Sequence, residues 1–166
     1  PNVLGRMVYV LDFSYKRPIM ERLASQAERL IVLDHHKTAQ ADLAGLTRPE
    51  LAPDPLIIFD MERSGARLAW DWFDGAGNLG REISLGVNAE WLIEYVQDRD
   101  LWRWALPNSR LVSAGIEAVP KTLEAWDTLA GRSASALWAE GEIIERYRLI
   151  CIQAACELAR DFKIVR

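Results

Sequence analysis

The first half of the chain alternates between short apolar runs and longer segments with apolar residues at helical spacing. Apolar runs at residues 7–13, 30–33 and 55–60 have the length and composition of strands. Between the first two runs, apolar residues recur every three or four positions: Ile19, Leu23, Ala27 and Leu30. Strands that alternate with helices indicate βαβ units, so the sequence predicts an α/β fold, a parallel sheet with flanking helices.

The second half of the chain has apolar positions at helical spacing throughout. A glycine-rich stretch, residues 74–86, interrupts the alternation of strands and helices. The segments that follow are helical in pattern and are separated by Pro107 and Pro120. We therefore predict an α/β domain over residues 1–106 and a helical extension over residues 107–166 that packs on the same domain.

Composition and charge exclude several classes of protein. The chain has 166 residues, 50% of them hydrophobic, and a formal net charge of −4. A duplex nucleic-acid binder would need a basic face. No window approaches the roughly 20 apolar residues that cross a bilayer, and the first residues lack the layout of a signal peptide. With Cys151 and Cys156 spaced so that they point to different helix faces, we expect a cytoplasmic protein with reduced thiols and no membrane partner.

Both histidines of the protein, His35 and His36, directly follow Asp34 at the end of the second apolar run. Asp12 has the equivalent place at the end of the first run. The carboxyl ends of parallel strands meet at one edge of a sheet, so these side chains should converge there. Carboxylate and imidazole suit Mn²⁺, Fe²⁺ or Zn²⁺ better than Ca²⁺. The pattern favours a metal-dependent hydrolase; the alternatives are a helix-capping Asp12 and a histidine pair that is only a loop feature.

Four segments, in this order, resemble the DHH phosphoesterase superfamily, named after its Asp-His-His motif: VYVLDFSY, LIVLDHHKTAQADL, FDMERSGARLAWDWF and YVQDRDLWRW. RecJ-like exonucleases, oligoribonucleases, family II pyrophosphatases and some exopolyphosphatases share this superfamily. The likeness covers roughly residues 7–104 and follows the order of the family's second, third and fourth motifs. It implies hydrolysis of phosphodiester, phosphomonoester or phosphoanhydride bonds through metal-bound hydroxide.

The resemblance implies Mn²⁺ as the cofactor and a set of ligands for it. Asp12 is similar to the carboxylate that bridges two ions, His35 would bind one of them, and Asp98 would be a further ligand of that ion. Asp100 would support the site without binding the metal. Asp98 is preferred over Asp100 because the family's late acid is commonly followed, four residues on, by an aromatic residue, here Trp102.

The resemblance also implies residues that act on the substrate. Asp34 would orient the two histidines, and His36 would donate a hydrogen bond to a phosphate oxygen as negative charge develops there. Lys37 and Arg99 are candidates for phosphate contacts, although either side chain could simply be solvated. Gly65, together with the serine before it, resembles the small pair that opens the family's following helix.

The family's first motif, an acidic turn that supplies most ligands of the other ion, has no counterpart in this chain. Residues 1–11 contain no acid and no histidine. We expect a complete protein to hold two Mn²⁺ ions, and this chain, an N-terminally truncated DHH-type domain, to hold at most one well. The expected substrate is a small nucleotide, a short single-stranded oligonucleotide or polyphosphate. The alternative is a catalytically silent domain of the same fold that binds a ligand or regulates.

Two features of the helical half leave their interpretation open. Trp102 and Trp104 either stack on a base or pack in a helix-rich core. Apolar residues of the final helix, such as Tyr147 and Ile150, belong either to a homodimer interface or to a helix that covers the sheet.

Overall fold

A computed structural model of the chain describes residues 2–47, 55–74 and 89–159. Contacts divide the chain into two compact units, Pro1–Gly86 and Val87–Arg166. The sequence predicts the division after residue 106, but the helix that begins at Glu90 belongs to the second unit. Its Leu92 is part of the apolar core there, which later helices complete. Residues 75–86 of the glycine-rich stretch lie outside the described residues.

The first unit is an α/β structure in which strands and helices alternate as predicted. Its elements are β1 (Met7–Leu11), α1 (Arg17–Gln26), β2 (Arg29–Asp34), α2 (Lys37–Leu43), β3 (Leu56–Phe59) and α3 (Gly65–Asp74). The three strands form a parallel sheet in the order β1-β2-β3. Leu11 pairs with Leu33, so the carboxyl ends of β1 and β2 are level with each other.

Strand β2 is the centre of this sheet and carries its core. Residues 30–34 are all buried, and the side chains of residues 30–33 alternate between two apolar clusters. Burial on both faces explains why the strand is a continuous apolar run. Strand β1 differs from the expectation of a buried strand over residues 7–13. It ends at Leu11, forms an edge of the described sheet, and has only Val10 buried.

The second unit is helical in its described part. It contains α4 (Glu90–Asp100), α5 (Ser109–Glu117), α6 (Leu123–Ala130) and α7 (Ala134–Ala159). Helices α5 and α7 approach each other at glycines: a Cβ at Gly115 would lie 2.8 Å from the carbonyl oxygen of Leu137, and a Cβ at Gly141 would overlap the backbone of Leu111. Among the described helices, none has the length and apolar character needed to span a membrane.

The aromatic residues of the second unit do not all belong to its core. The Trp102 side chain is 75% exposed, so the interpretation of this residue as a core residue is wrong. Tyr147 and Ile150 on α7 are exposed as well, and the buried residues of that helix are Leu137 and Gly141.

Candidate metal centre

Asp12, His35 and His36 form a cluster at the carboxyl edge of the sheet. Each offers a ligand atom, and these atoms lie within 4.8 Å of one another. His35 Nε2 is 3.2 Å from Asp12 Oδ1. The parallel register causes this approach, because Asp12 and His35 follow the level ends of β1 and β2. One carboxylate with two imidazoles is a donor set that Mn²⁺, Fe²⁺ and Zn²⁺ all accept. The cluster is therefore a candidate metal centre without a unique preference for one ion.

The backbone at Asp12 is left-handed, with φ 63, a conformation that aspartate adopts more readily than most residues. Its N–H donates to the carbonyl oxygen of Leu33 at 2.9 Å, which extends the pairing of the two strands by one residue. The carboxylate projects over the start of α3, where a Cβ at Gly65 would overlap it. Glycine at position 65 thus has a physical role: it leaves space for the Asp12 carboxylate.

Asp34 is fully buried, and its carboxylate contacts both histidines. Its Oδ1 accepts hydrogen bonds from the backbone N–H of His35 at 2.7 Å and of His36 at 3.3 Å, and lies 2.6 Å from His36 Nδ1. Its Oδ2 accepts from the Ser14 hydroxyl at 2.7 Å. Burial acts to raise the pKa of Asp34. Hydrogen bonds from His36 and Ser14 outweigh burial and hold this pKa below its ordinary value, so the carboxylate stays ionised.

An ionised Asp34 determines how the His36 ring can act. A carboxylate beside Nδ1 favours a proton on that nitrogen, so Nε2 becomes the atom that meets a metal ion or a substrate. The His36 side chain is 54% exposed, which makes it accessible to a substrate. Asp34 therefore sets both the tautomer and the orientation of His36.

A small cavity of about 230 Å³ adjoins His36. Ser14 and Lys16 line it, and neither residue is predicted from the sequence as part of the site. The signal that could have indicated them is their position, two and four residues after the strand-ending aspartate. Lys37, the predicted phosphate contact, is exposed at the beginning of α2 and is not among the residues that line this cavity.

Asp98 and Arg99, the other predicted site residues, lie on α4 in the second unit. The buried Asp98 carboxylate accepts hydrogen bonds from the backbone N–H groups of Ala105 at 2.9 Å and Leu106 at 3.3 Å. Burial acts to raise the pKa of Asp98, but these amides and a nearby serine hydroxyl hold it below its ordinary value. Arg99 forms an ion pair with Glu117. Within its own unit Asp98 closes the loop after α4, and its role as a metal ligand stays a prediction.

Comparison with known proteins assigns no family. No family model matches the chain, and no solved structure does. An uncharacterized protein of Acanthamoeba polyphaga mimivirus is 30% identical over 108 residues. The matched region makes up 65% of this chain and 22% of that relative, so the chain spans a small part of the relative's length. The likeness to the DHH superfamily therefore rests on the four sequence segments that carry it.

Proposed function

We propose that this protein is a metal-dependent phosphohydrolase of the DHH type. Its substrate would be a small nucleotide, a short single-stranded oligonucleotide or polyphosphate, with Mn²⁺ as the cofactor. The observation that supports this proposal is the convergence of Asp12, His35 and His36 above the buried, ionised Asp34.

In this proposal the ion is held by Asp12 and His35, whose ligand atoms already lie within 3.2 Å of each other. When bound, Mn²⁺ would supply Lewis-acid activation of water and of the phosphoryl group. Asp12 is similar to a residue that serves a second ion in the DHH superfamily, and that role stays a proposal here.

The residues of the chain would then act on the phosphoryl group directly. In its doubly protonated form His36 would keep its Nδ1–H against the Asp34 carboxylate and would donate its Nε2–H to a phosphoryl oxygen. The ammonium group of Lys16, in the wall of the adjoining cavity, would offset the charge of the bound phosphate. Together these groups stabilise the charge that develops during hydrolysis.

The test is release of mononucleotides from a short RNA oligomer, followed by chromatography in the presence of Mn²⁺. The wild-type protein is compared with His36→Ala and with Gln40→Ala, a change at an exposed position on α2 outside the cavity. We expect release that requires Mn²⁺ and His36 and that tolerates the change at Gln40. Parallel assays use polyphosphate and a 3′-phosphorylated nucleotide. Turnover that persists in excess chelator would contradict the mechanism.

A catalytically silent domain of the same fold is the second candidate. It is favoured by the number of ligands, because the described cluster offers three groups, enough for one ion, whereas two-ion clamps are common in phosphoryl hydrolysis. This candidate predicts Mn²⁺ binding that Asp12→Ala weakens, together with no turnover of any of the three substrates.

A further inference from the structure

The second unit contains a cavity of about 870 Å³, a volume typical of sites for small molecules. All of its lining residues belong to the second unit. Aromatic and basic side chains form much of its wall: Trp102, Trp104, Trp126, Arg110 and Lys121. None of these residues belongs to the candidate metal centre, so any ligand of this cavity would bind at a separate site.

Trp102 has a backbone conformation that its side chain does not favour. Helix α4 ends in a Schellman motif, in which the N–H of Trp102 donates to the Arg99 carbonyl and the N–H of Arg103 to the Asp98 carbonyl, both at 2.9 Å. Glycine is the usual residue at the left-handed position of this motif, but here it is Trp102, with φ 54. Trp104 is also left-handed, with φ 52. Because glycine would form the same turn without strain, the turn alone does not account for an indole ring here.

The two indole rings form an aromatic corner in the wall of the cavity. Their centroids are 5.7 Å apart with an interplanar angle of 81°, an edge-to-face arrangement. The guanidinium of Arg110 lies 4.4 Å from the centroid of the Trp104 ring. This contact keeps a positive charge beside the corner, while the exposed Trp102 ring can still accept a planar partner.

The positive charges of the wall fall into two groups. Arg99 and Arg148 both pair with Glu117, which lines the same cavity. Arg110 and Lys121 have no carboxylate partner in the part of the chain that the structure describes. These two side chains therefore supply charge that remains available to an anion.

Two wall residues also have unused hydrogen-bonding capacity. The indole Nε1 of Trp104 and the hydroxyl of Ser113 are buried and have no hydrogen-bond partner among the described residues. Buried polar atoms without a partner are uncommon in proteins, and water or a ligand often satisfies them. This observation is independent of the charges and of the backbone strain.

We propose that this cavity binds a nucleoside monophosphate, with the base stacked on Trp102 and the phosphate held by Arg110 and Lys121. The base needs an aromatic face, and the phosphate needs cations that no acid neutralises. The cavity offers both within one volume of suitable size. The proposal concerns the second unit and holds whichever reaction the candidate metal centre performs.

The test is calorimetric titration of the full chain with AMP, adenosine and inorganic phosphate, in excess chelator so that no metal ion mediates binding. Trp102→Ala should weaken AMP binding about tenfold or more, since base stacking is lost. Arg110→Gln combined with Lys121→Gln should weaken AMP binding by a similar factor and leave adenosine binding unchanged. The matched controls are Trp138→Ala and Arg146→Gln, exposed residues outside the cavity, which should have no effect.

The His36→Ala variant separates this site from the candidate metal centre. We expect it to bind AMP as tightly as the wild-type protein, and circular dichroism is the measurement that checks the folding of each variant. Loss of AMP binding in His36→Ala would overturn the proposal and leave the proposed hydrolase intact. Absence of AMP binding, phosphate binding as tight as that of AMP, or equal effects of Trp102→Ala and Trp138→Ala would also overturn it.

Discussion

Gly65 lies against Asp12 so closely that the first carbon of any side chain at position 65 would overlap the Asp12 carboxylate. Helix α3 therefore begins with a glycine because any larger residue there would overlap Asp12, which follows β1. Gly65 has no side chain that could bind a metal ion, but its size affects the candidate metal centre through Asp12. This effect can be tested directly.

Replacing Gly65 by Ala should displace the Asp12 carboxylate and lower Mn²⁺ affinity about tenfold or more, the scale of changes in groups that orient metal ligands. Calorimetric titration with Mn²⁺ measures the effect. Gly131→Ala is the matched control, because a Cβ there would meet its nearest neighbour, the Thr128 carbonyl oxygen, at an ordinary 3.6 Å. Unchanged affinity in Gly65→Ala would show that Asp12 does not bind the ion.

Replacing Asp34 by Asn should reduce turnover roughly 10- to 100-fold, because a neutral amide no longer stabilises the doubly protonated ring of His36. Mn²⁺ affinity should fall less in this variant than in Asp12→Asn, since Asp34 is buried behind the histidines. Steady-state kinetics and metal titration on the same samples give both quantities. A larger loss of metal affinity in Asp34→Asn than in Asp12→Asn would contradict this division of roles.

Replacing Trp102 by Gly should give a more stable protein than replacing it by Ala, by about 1 kcal/mol, because only glycine adopts φ 54 without strain. Thermal unfolding followed by circular dichroism measures the difference. The control pair is Gln153→Gly and Gln153→Ala, at an exposed position in α7, where the order should reverse. If the Ala variant is more stable than the Gly variant at both positions, the strained left-handed backbone at Trp102 is not present in solution.

Glu117 should make stability depend on pH in the acid range. A hydrogen bond from Arg148, together with the charge of Arg99, holds the pKa of Glu117 below its ordinary value of 4.5. The unfolded chain therefore takes up a proton first as the pH falls. The stabilising contribution is complete above pH 4.5 and is lost as the pH falls through the lower native pKa.

Denaturant titrations from about pH 6 to pH 3 measure this dependence. Glu117→Gln should make the loss of stability toward acid pH shallower than in the wild-type protein. Glu142→Gln is the control, because this exposed glutamate has no ion pair among the described residues. Identical slopes for wild type and Glu117→Gln would show that the ion pairs with Arg99 and Arg148 are absent in solution.

The sequence predicts the sheet of the first unit well, because a parallel strand buried on both faces is a continuous apolar run. The meeting of Asp12 with His35 follows from the same logic, since parallel pairing aligns strand ends. Ser14 and Lys16 are not predicted, because the loop after β1 places them, and the left-handed turn at Asp12 leaves no signal in residue spacing.

The second unit is harder to predict, because residue spacing does not show how its helices pack. Hydrophobic spacing identifies its helices, but it does not show that α4 packs with α5 and α7 instead of continuing the α/β region. An exposed tryptophan at the end of a helix is indistinguishable in sequence from a core tryptophan. Only the backbone geometry after α4 shows that Trp102 points away from the core.

The hydrogen bonds of Asp98 have a consequence for genetics. Its carbonyl oxygen accepts from Arg103, and its carboxylate accepts from Ala105, so one residue fastens the turn that presents Trp102. A change at position 98 and a change at position 102 therefore act on a single structural unit, and their effects should not add. A variant of Asp98 that loses AMP binding would thus resemble a variant of Trp102. Metal affinity has to be measured as well to test the predicted role of Asp98 as a metal ligand. The two positions should therefore show epistasis.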